Sequence, residues 1–142
     1  MACLPIPSSE LANRAYWASK LFALTAWTYN RTAGERAARV YANADAARFY
    51  ERAITAGRKV RASIEERVAV YQDLSGALTL LGRFDDSDAT LGEARQLLKG
   101  EFLEAAPIVI AQAILPSRQG RYRQTTLRVN SALRRLEQAP AV

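Results

Sequence analysis

Arginine is the residue most able to do chemistry here. Arg118, Arg121, Arg123, Arg128, Arg134 and Arg135 crowd the end of the chain, with Tyr122 among them. Guanidinium groups interleaved with an aromatic can neutralise phosphates and stack on bases, as nucleic-acid interfaces require. Arginine is also a good helix former on solvated faces, and that plainer reading is the favoured one. The carboxylates offer less. Glu65, Glu66 and Asp73 could be paired for acid–base work, but they fall on a polar helix face with nothing to raise a pKa, so solvent exposure is expected. "DDSD" at Asp85–Asp88 lacks the Gly turn and terminal Glu of an EF-hand loop and reads as the acidic start of a helix. The chain has no histidine, so no His-based triad, proton shuttle or His metal site forms. The single Cys3 excludes a disulfide framework and a multi-cysteine zinc site. No phosphate-binding or dinucleotide-binding fingerprint is present, and no serine or threonine has an identifiable base. The expectation is a protein without catalytic residues, metal or cofactor.

Any function must then come from surfaces, and composition bounds them. The 142 residues make one ordinary domain, 49% hydrophobic and 24% charged, with ample material for a core. "MACLPIPSS" has neither the basic start nor the apolar stretch of a signal peptide, and "AAPIVIAQAIL" is too short to span a membrane. A lone free thiol fits a reducing compartment, so a cytoplasmic location is expected. The net charge of +6 is distributed in blocks. Residues 1–61 hold ten basic and four acidic side chains, 62–104 four and nine, and 105–142 six and one.

Abundant Ala and Arg with few β-branched alternations predict an all-α chain. Helices are expected over 9–20, 23–32, 34–41, 44–56, 63–81, 84–98, 107–118 and 122–138. Ser9 and Glu10 can open the first. Ser63 with Glu66 makes a capping box, in which side chain and backbone satisfy each other's orphan donors. Gly57 and Gly100 are positioned to close helices in the left-handed conformation that glycine adopts cheaply. Pro116 should kink or stop its helix, because its ring removes an N–H and crowds the preceding turn.

An internal repeat organises the C-terminal half. Gly82, Phe84, Leu91, Ala94 and Leu98 recur 38 residues later as Gly120, Tyr122, Val129, Ala132 and Leu136. Each set fits a helix–turn–helix. Gly makes the turn, the aromatic fills the space beside it, and small residues such as Ser75 and Ser87 let the helices approach. Upstream, Ala46, Tyr50 and Ala53 repeat the second-helix spacing, and Ala26, Asn30 and Ala33 do so more loosely. Trp17 and Trp27 are expected to fill the N-terminal core.

Tyr71, Leu74, Ser75, Leu78, Gly82, Phe84, Ser87, Leu91 and Ala94 resemble the tetratricopeptide repeat, with Ser87 where Ala is usual. Val109, Ala113, Gly120, Tyr122, Thr125, Val129 and Ala132 match a second copy, with Gln112 where Leu is expected. The lengthened spacing is similar to repeats in bacterial adenylate cyclases and NTPase-containing transcriptional regulators. The resemblance implies a right-handed α-α superhelical solenoid of about four hairpins. An N-terminal tail would cover 1–8 and a helical domain 9–138, with irregular hairpins over 9–61 and closer repeats over 63–100 and 105–138. Residues 139–142 would form a C-terminal tail.

It also implies a non-catalytic protein–protein interaction module, a scaffold or regulatory domain in a larger signalling protein or a stand-alone relative of one. Its concave groove would take a peptide, a helix or a neighbouring domain. The groove would be lined by Gln72, Gly76, Thr79, Leu80, Ile110, Ile114 and Arg118, an apolar and small-residue surface unlike a carboxylate clamp. The alternative is a basic helical nucleic-acid binder using Arg121, Arg123, Arg128 and Arg135. Partner and oligomeric state stay open.

Overall fold

The computed structural model describes residues 8–99 and 102–138, the side chains of 102 and 103 excepted. They form six helices with no strand among them: α1 (Ser8–Arg39), α2 (Asn43–Val60), α3 (Ile64–Leu80), α4 (Phe84–Leu97), α5 (Phe102–Arg118) and α6 (Tyr122–Glu137). Each helix packs on the next in the chain, giving three hairpins, α1/α2, α3/α4 and α5/α6, where about four were expected. Gly100, expected to close a helix, lies outside the described residues. Before it, α4 ends at Leu97 and Lys99 takes a positive φ of 44°.

The missing hairpin is accounted for by α1. Three helices were expected over 9–41, yet one 32-residue helix runs through. Gly34 does not break it, because the Tyr50 ring lies where a Cβ would stand, 2.6 Å from that position. Gly57 is likewise inside α2, not at its end. A Cβ there would meet Trp27 Cζ3 at 2.6 Å. The closure falls to Arg61 at φ 54°, whose N–H bonds the Gly57 carbonyl. Both glycines are notches that admit an aromatic ring from the partner helix.

The core is continuous from α1 to α5. Trp27, Tyr50, Ile54, Val70, Tyr71, Leu74, Leu78, Leu91, Ile108 and Leu115 are buried in it, and Ala46, Ala53 and Ala94 are fully buried among them. Burying a side chain of leucine size contributes about 2 kcal/mol, so this set carries the fold. Trp27 fills the core as expected, but Trp17 does not. It is 61% exposed, because residues 8–19 of α1 extend past the shorter α2 and all lie in solvent.

Local signals hold well in the second hairpin. Ser63 Oγ accepts from Glu66 N, and Glu66 Oε2 accepts from Ser63 N at 3.3 Å, so the capping box is formed. Gly82 and Gly120 turn at φ 74° and 72°. Ser75 and Ser87 are buried where α3 meets α4. Their hydroxyls, 2.7 Å apart, satisfy each other, which permits two polar groups at a close helix crossing. Phe84 packs partly against the core, whereas Tyr122 is 70% exposed. Tyr122 therefore does not fill its turn, since no further helix covers α6 among the described residues.

Candidate functional site

Helix periodicity decides what α3 and α5 present to each other. Residues four apart share a face, and residues two apart point to opposite sides. Gln72, Gly76 and Leu80 of α3 follow one line, and Ile114 and Arg118 of α5 another. In the structure these five and Thr79 line one cavity of about 440 Å³ between the two helices. Ser75, Leu91, Ala111 and Leu115 form its floor. Six of the seven residues assigned to the groove are thus brought together. Ile110, one turn before Ile114 and 48% exposed, lies outside this lining.

The groove is apolar at its base and sparsely charged. Leu91 and Leu115 are buried beneath it, and Ile114 and Leu80 stay exposed at its rim. Thr79 is turned inward. Its hydroxyl donates to the Ser75 carbonyl at 2.8 Å and meets Ser87 Oγ at 3.0 Å. Arg118 supplies the one charge in the lining. Such a surface can cover an apolar stripe and fix its direction by one ion pair.

Of the arginines of the alternative surface, Arg121, Arg123 and Arg135 are exposed and Arg128 is half-buried. Arg121 is the N-cap residue of α6, and Arg123 is exposed beside it. Arg128 and Arg135 instead line a second cleft, between α4, α5 and α6, together with Asp88, Arg95 and Gln112. Arg128 Nη1 donates to Asp88 Oδ1 at 3.3 Å and to the Gln112 carbonyl at 3.2 Å. That carbonyl is the one an N–H at position 116 would normally take, and Pro116 has none. Pro116 is accommodated near the end of α5, which continues to Arg118. Gln112, the residue that departs from the repeat pattern, donates from Nε2 to the Asp88 carbonyl at 3.1 Å and to its carboxylate at 3.2 Å.

The acidic residues behave in two ways. Asp85 and Asp86 sit in the first turn of α4, as expected. Asp88, one turn further, serves the second cleft. Glu65 and Glu66 are exposed. Glu66 also accepts from Arg31 of α1 at 3.3 Å, tying the first hairpin to the second. Asp73 is exposed as expected, but loss of hydration from the groups packed around it, then the nearby charge of Glu35, push its carboxyl above the usual range, with Arg31 opposing. Burial, then the charges of Asp73 and Glu35, push the Tyr50 hydroxyl up to about 12.

No group of histidine, cysteine and carboxylate side chains suited to a metal exists among the described residues. No described helix is long and apolar enough to cross a membrane. The repeat pattern pointed to the groove but missed Asp88, Arg95 and Gln112. The signal that could have found them was Gln112 standing in a leucine position. Comparison of the chain with protein-family profiles, curated proteins and solved structures finds no match.

Proposed function

We propose that this chain is a non-catalytic protein-interaction module of tetratricopeptide type, a right-handed solenoid that receives a peptide or helix between α3 and α5. The observation that supports it best is the convergence of Gln72, Gly76, Thr79, Leu80, Ile114 and Arg118 on one cavity. Those residues were selected by repeat register alone. The partner presents an apolar stripe with an acidic group toward Arg118, either on a separate protein or on a neighbouring domain of a signalling assembly. A scaffold or regulatory role in the cytoplasm follows from this reading. The nucleic-acid reading is the less favoured one because Arg128 is already engaged by Asp88 and the Gln112 carbonyl and no aromatic lines its cleft.

The test uses peptides selected from a displayed random library on the immobilised chain. Ile114 is 43% exposed, so Ile114→Asp leaves helicity by circular dichroism intact. Selected peptides should be enriched in apolar and acidic residues and should lose binding to Ile114→Asp and to Gly76→Trp. Peptides that bind the wild type and both variants equally would overturn the groove assignment. Salt-sensitive retention of RNA or DNA, lost on charge reversal at Arg121 and Arg123, would move the function to the arginines.

A further inference from the structure

The second cleft and the one before it make a matched pair. A cavity of about 340 Å³ lies between α2, α3 and α4, and one of about 320 Å³ lies between α4, α5 and α6. The repeat offset of 38 residues carries the α3 and α4 parts of the first lining onto the α5 and α6 parts of the second. Leu74 maps to Gln112, Thr90 to Arg128 and Glu93 to Ser131. Each cleft lies among three consecutive helices, but the balance of charge is opposite. The first cleft holds Glu51, Asp86 and Glu93 against Arg58 and Arg83, and both arginines are paired there. Arg58 meets Glu93 at 3.2 Å and Arg83 meets Asp86 at 2.8 Å. The second cleft sets Arg95 and Arg128 against the carboxylate of Asp88, and Arg135 also lines it. The excess of positive charge is therefore a property of these residues and not of helical hairpins in general.

The arrangement also holds a guanidinium in place. Arg128 is anchored through Nη1 alone, to Asp88 and to the Gln112 carbonyl. Guanidinium carries five donors in a rigid fork, so fixing one nitrogen leaves the remaining edge oriented for a second acceptor. Arg95, two turns from Asp88 along α4, faces the same space, and Ser131 adds a hydroxyl. The floor beneath is Val109, Ala113 and Ala132, which is apolar and small. No aromatic lines the cleft, so nothing there stacks a base.

From this we infer that the α4–α5–α6 cleft binds a phosphate monoester, its oxygens held by Arg95, Arg128 and Ser131 and its carbon substituent resting on the alanine floor. A monoester carries about 1.5 to 2 negative charges near neutral pH, and arginine forks match its oxygens in pairs. Asp88 positions Arg128 and also repels the ligand, so it sets the affinity in both directions. The site is independent of the proposed groove. Gln112 and Ile114 are two residues apart on α5 and point to opposite sides.

Titration calorimetry of the full chain at low salt tests this with two probes, inorganic phosphate and N-acetyl-O-phosphoserine amide. One saturable site is expected. Arg95→Glu should weaken it by about tenfold or more, since a charge-assisted bond becomes a repulsion. Arg95 is exposed, so its circular dichroism and melting should match the wild type. Asp88→Asn keeps an acceptor for Arg128 and should tighten binding several-fold. Arg83→Glu, in the first cleft, should leave it unchanged. Tighter binding of the phosphoserine derivative supports a phosphorylated chain as ligand, and equal or tighter binding of inorganic phosphate supports a small phosphate. The absence of saturable binding, or equal loss in Arg95→Glu and Arg83→Glu, would overturn the proposal.

Discussion

Gly57→Ala sets two readings of one residue against each other. If Gly57 closed a helix in the left-handed region, alanine would cost only its own backbone strain. The structure places it inside α2 against Trp27, so alanine also collides with a ring. The added Cβ would stand 2.6 Å from Cζ3 and 2.8 Å from Cε3. Trp27 is 4% exposed, and the Arg31 guanidinium lies 4.9 Å from its ring centroid, so the ring cannot swing into solvent. Overpacking of this kind costs about 1–3 kcal/mol, and the upper half applies because ring atoms and not a flexible tip must move. Alanine recovers about 1 kcal/mol of helix propensity. The net loss is about 1–2 kcal/mol, read as a fall of roughly 3–8 °C in Tm for a chain of this size. Gly76→Ala is the control. A Cβ there has no neighbour within 4 Å, so it should stabilise by about 1 kcal/mol. Urea denaturation of Gly57→Ala, Trp27→Leu and the double variant completes the cycle. The smaller side chain should relieve the clash and give a coupling of about 1 kcal/mol or more. Additive losses would refute the packing argument and return Gly57 to the end of its helix.

Two more outcomes follow from burial and charge. Ala94 is fully buried between helices, so Ala94→Trp should lower the stability by about 3 kcal/mol or prevent folding, whereas Arg95→Glu on the adjacent exposed position should melt with the wild type; equal thermal shifts would contradict the helix register. Asp73 has a raised carboxyl pKa in the folded state, so the fold holds that proton more tightly than the unfolded chain does, and stability falls as pH rises through the carboxylate range. Asp73→Asn should therefore raise Tm at neutral pH and lose its advantage below the ordinary aspartate pKa of 3.8; an advantage independent of pH would place its origin elsewhere.

What was legible in the sequence was local. Ser63 and Glu66 are three residues apart, and the Gly82 turn joins adjacent helices, so their roles are written within a few positions of the residue itself. Gly57 is different, since its partner Trp27 lies thirty positions away on another helix. The same residue type closes helices and admits rings, and only the partner decides which. The overhang of α1 was hidden for the same reason. Trp17 and Trp27 look alike in sequence, and the length of α2 determines that one is covered and the other is not. The groove was legible because helix periodicity aligns its residues without reference to any distant contact. Ile110 was the exception, because its position along α5, rather than its face, leaves it outside the cavity.

The third hairpin departs from the second at several positions, and three of the departures make sense only together. A glutamine in a leucine position, an arginine between two helices and a proline inside α5 would each be unfavourable alone. A partly buried amide or guanidinium without partners costs about 1–3 kcal/mol, and a proline in a helix interior costs about 3 kcal/mol, partly for the lost hydrogen bond. Here each meets the need of another. Pro116 releases the Gln112 carbonyl, Arg128 takes it, and Asp88 receives both the Arg128 guanidinium and the Gln112 amide. Restoring leucine at position 112 would recover the repeat pattern but remove the Nε2 donor from Asp88. Restoring threonine at 128 would leave the released carbonyl without its donor. The departures therefore stabilise one another, and what they produce jointly is an oriented guanidinium in a cleft whose counterpart one repeat earlier is acidic.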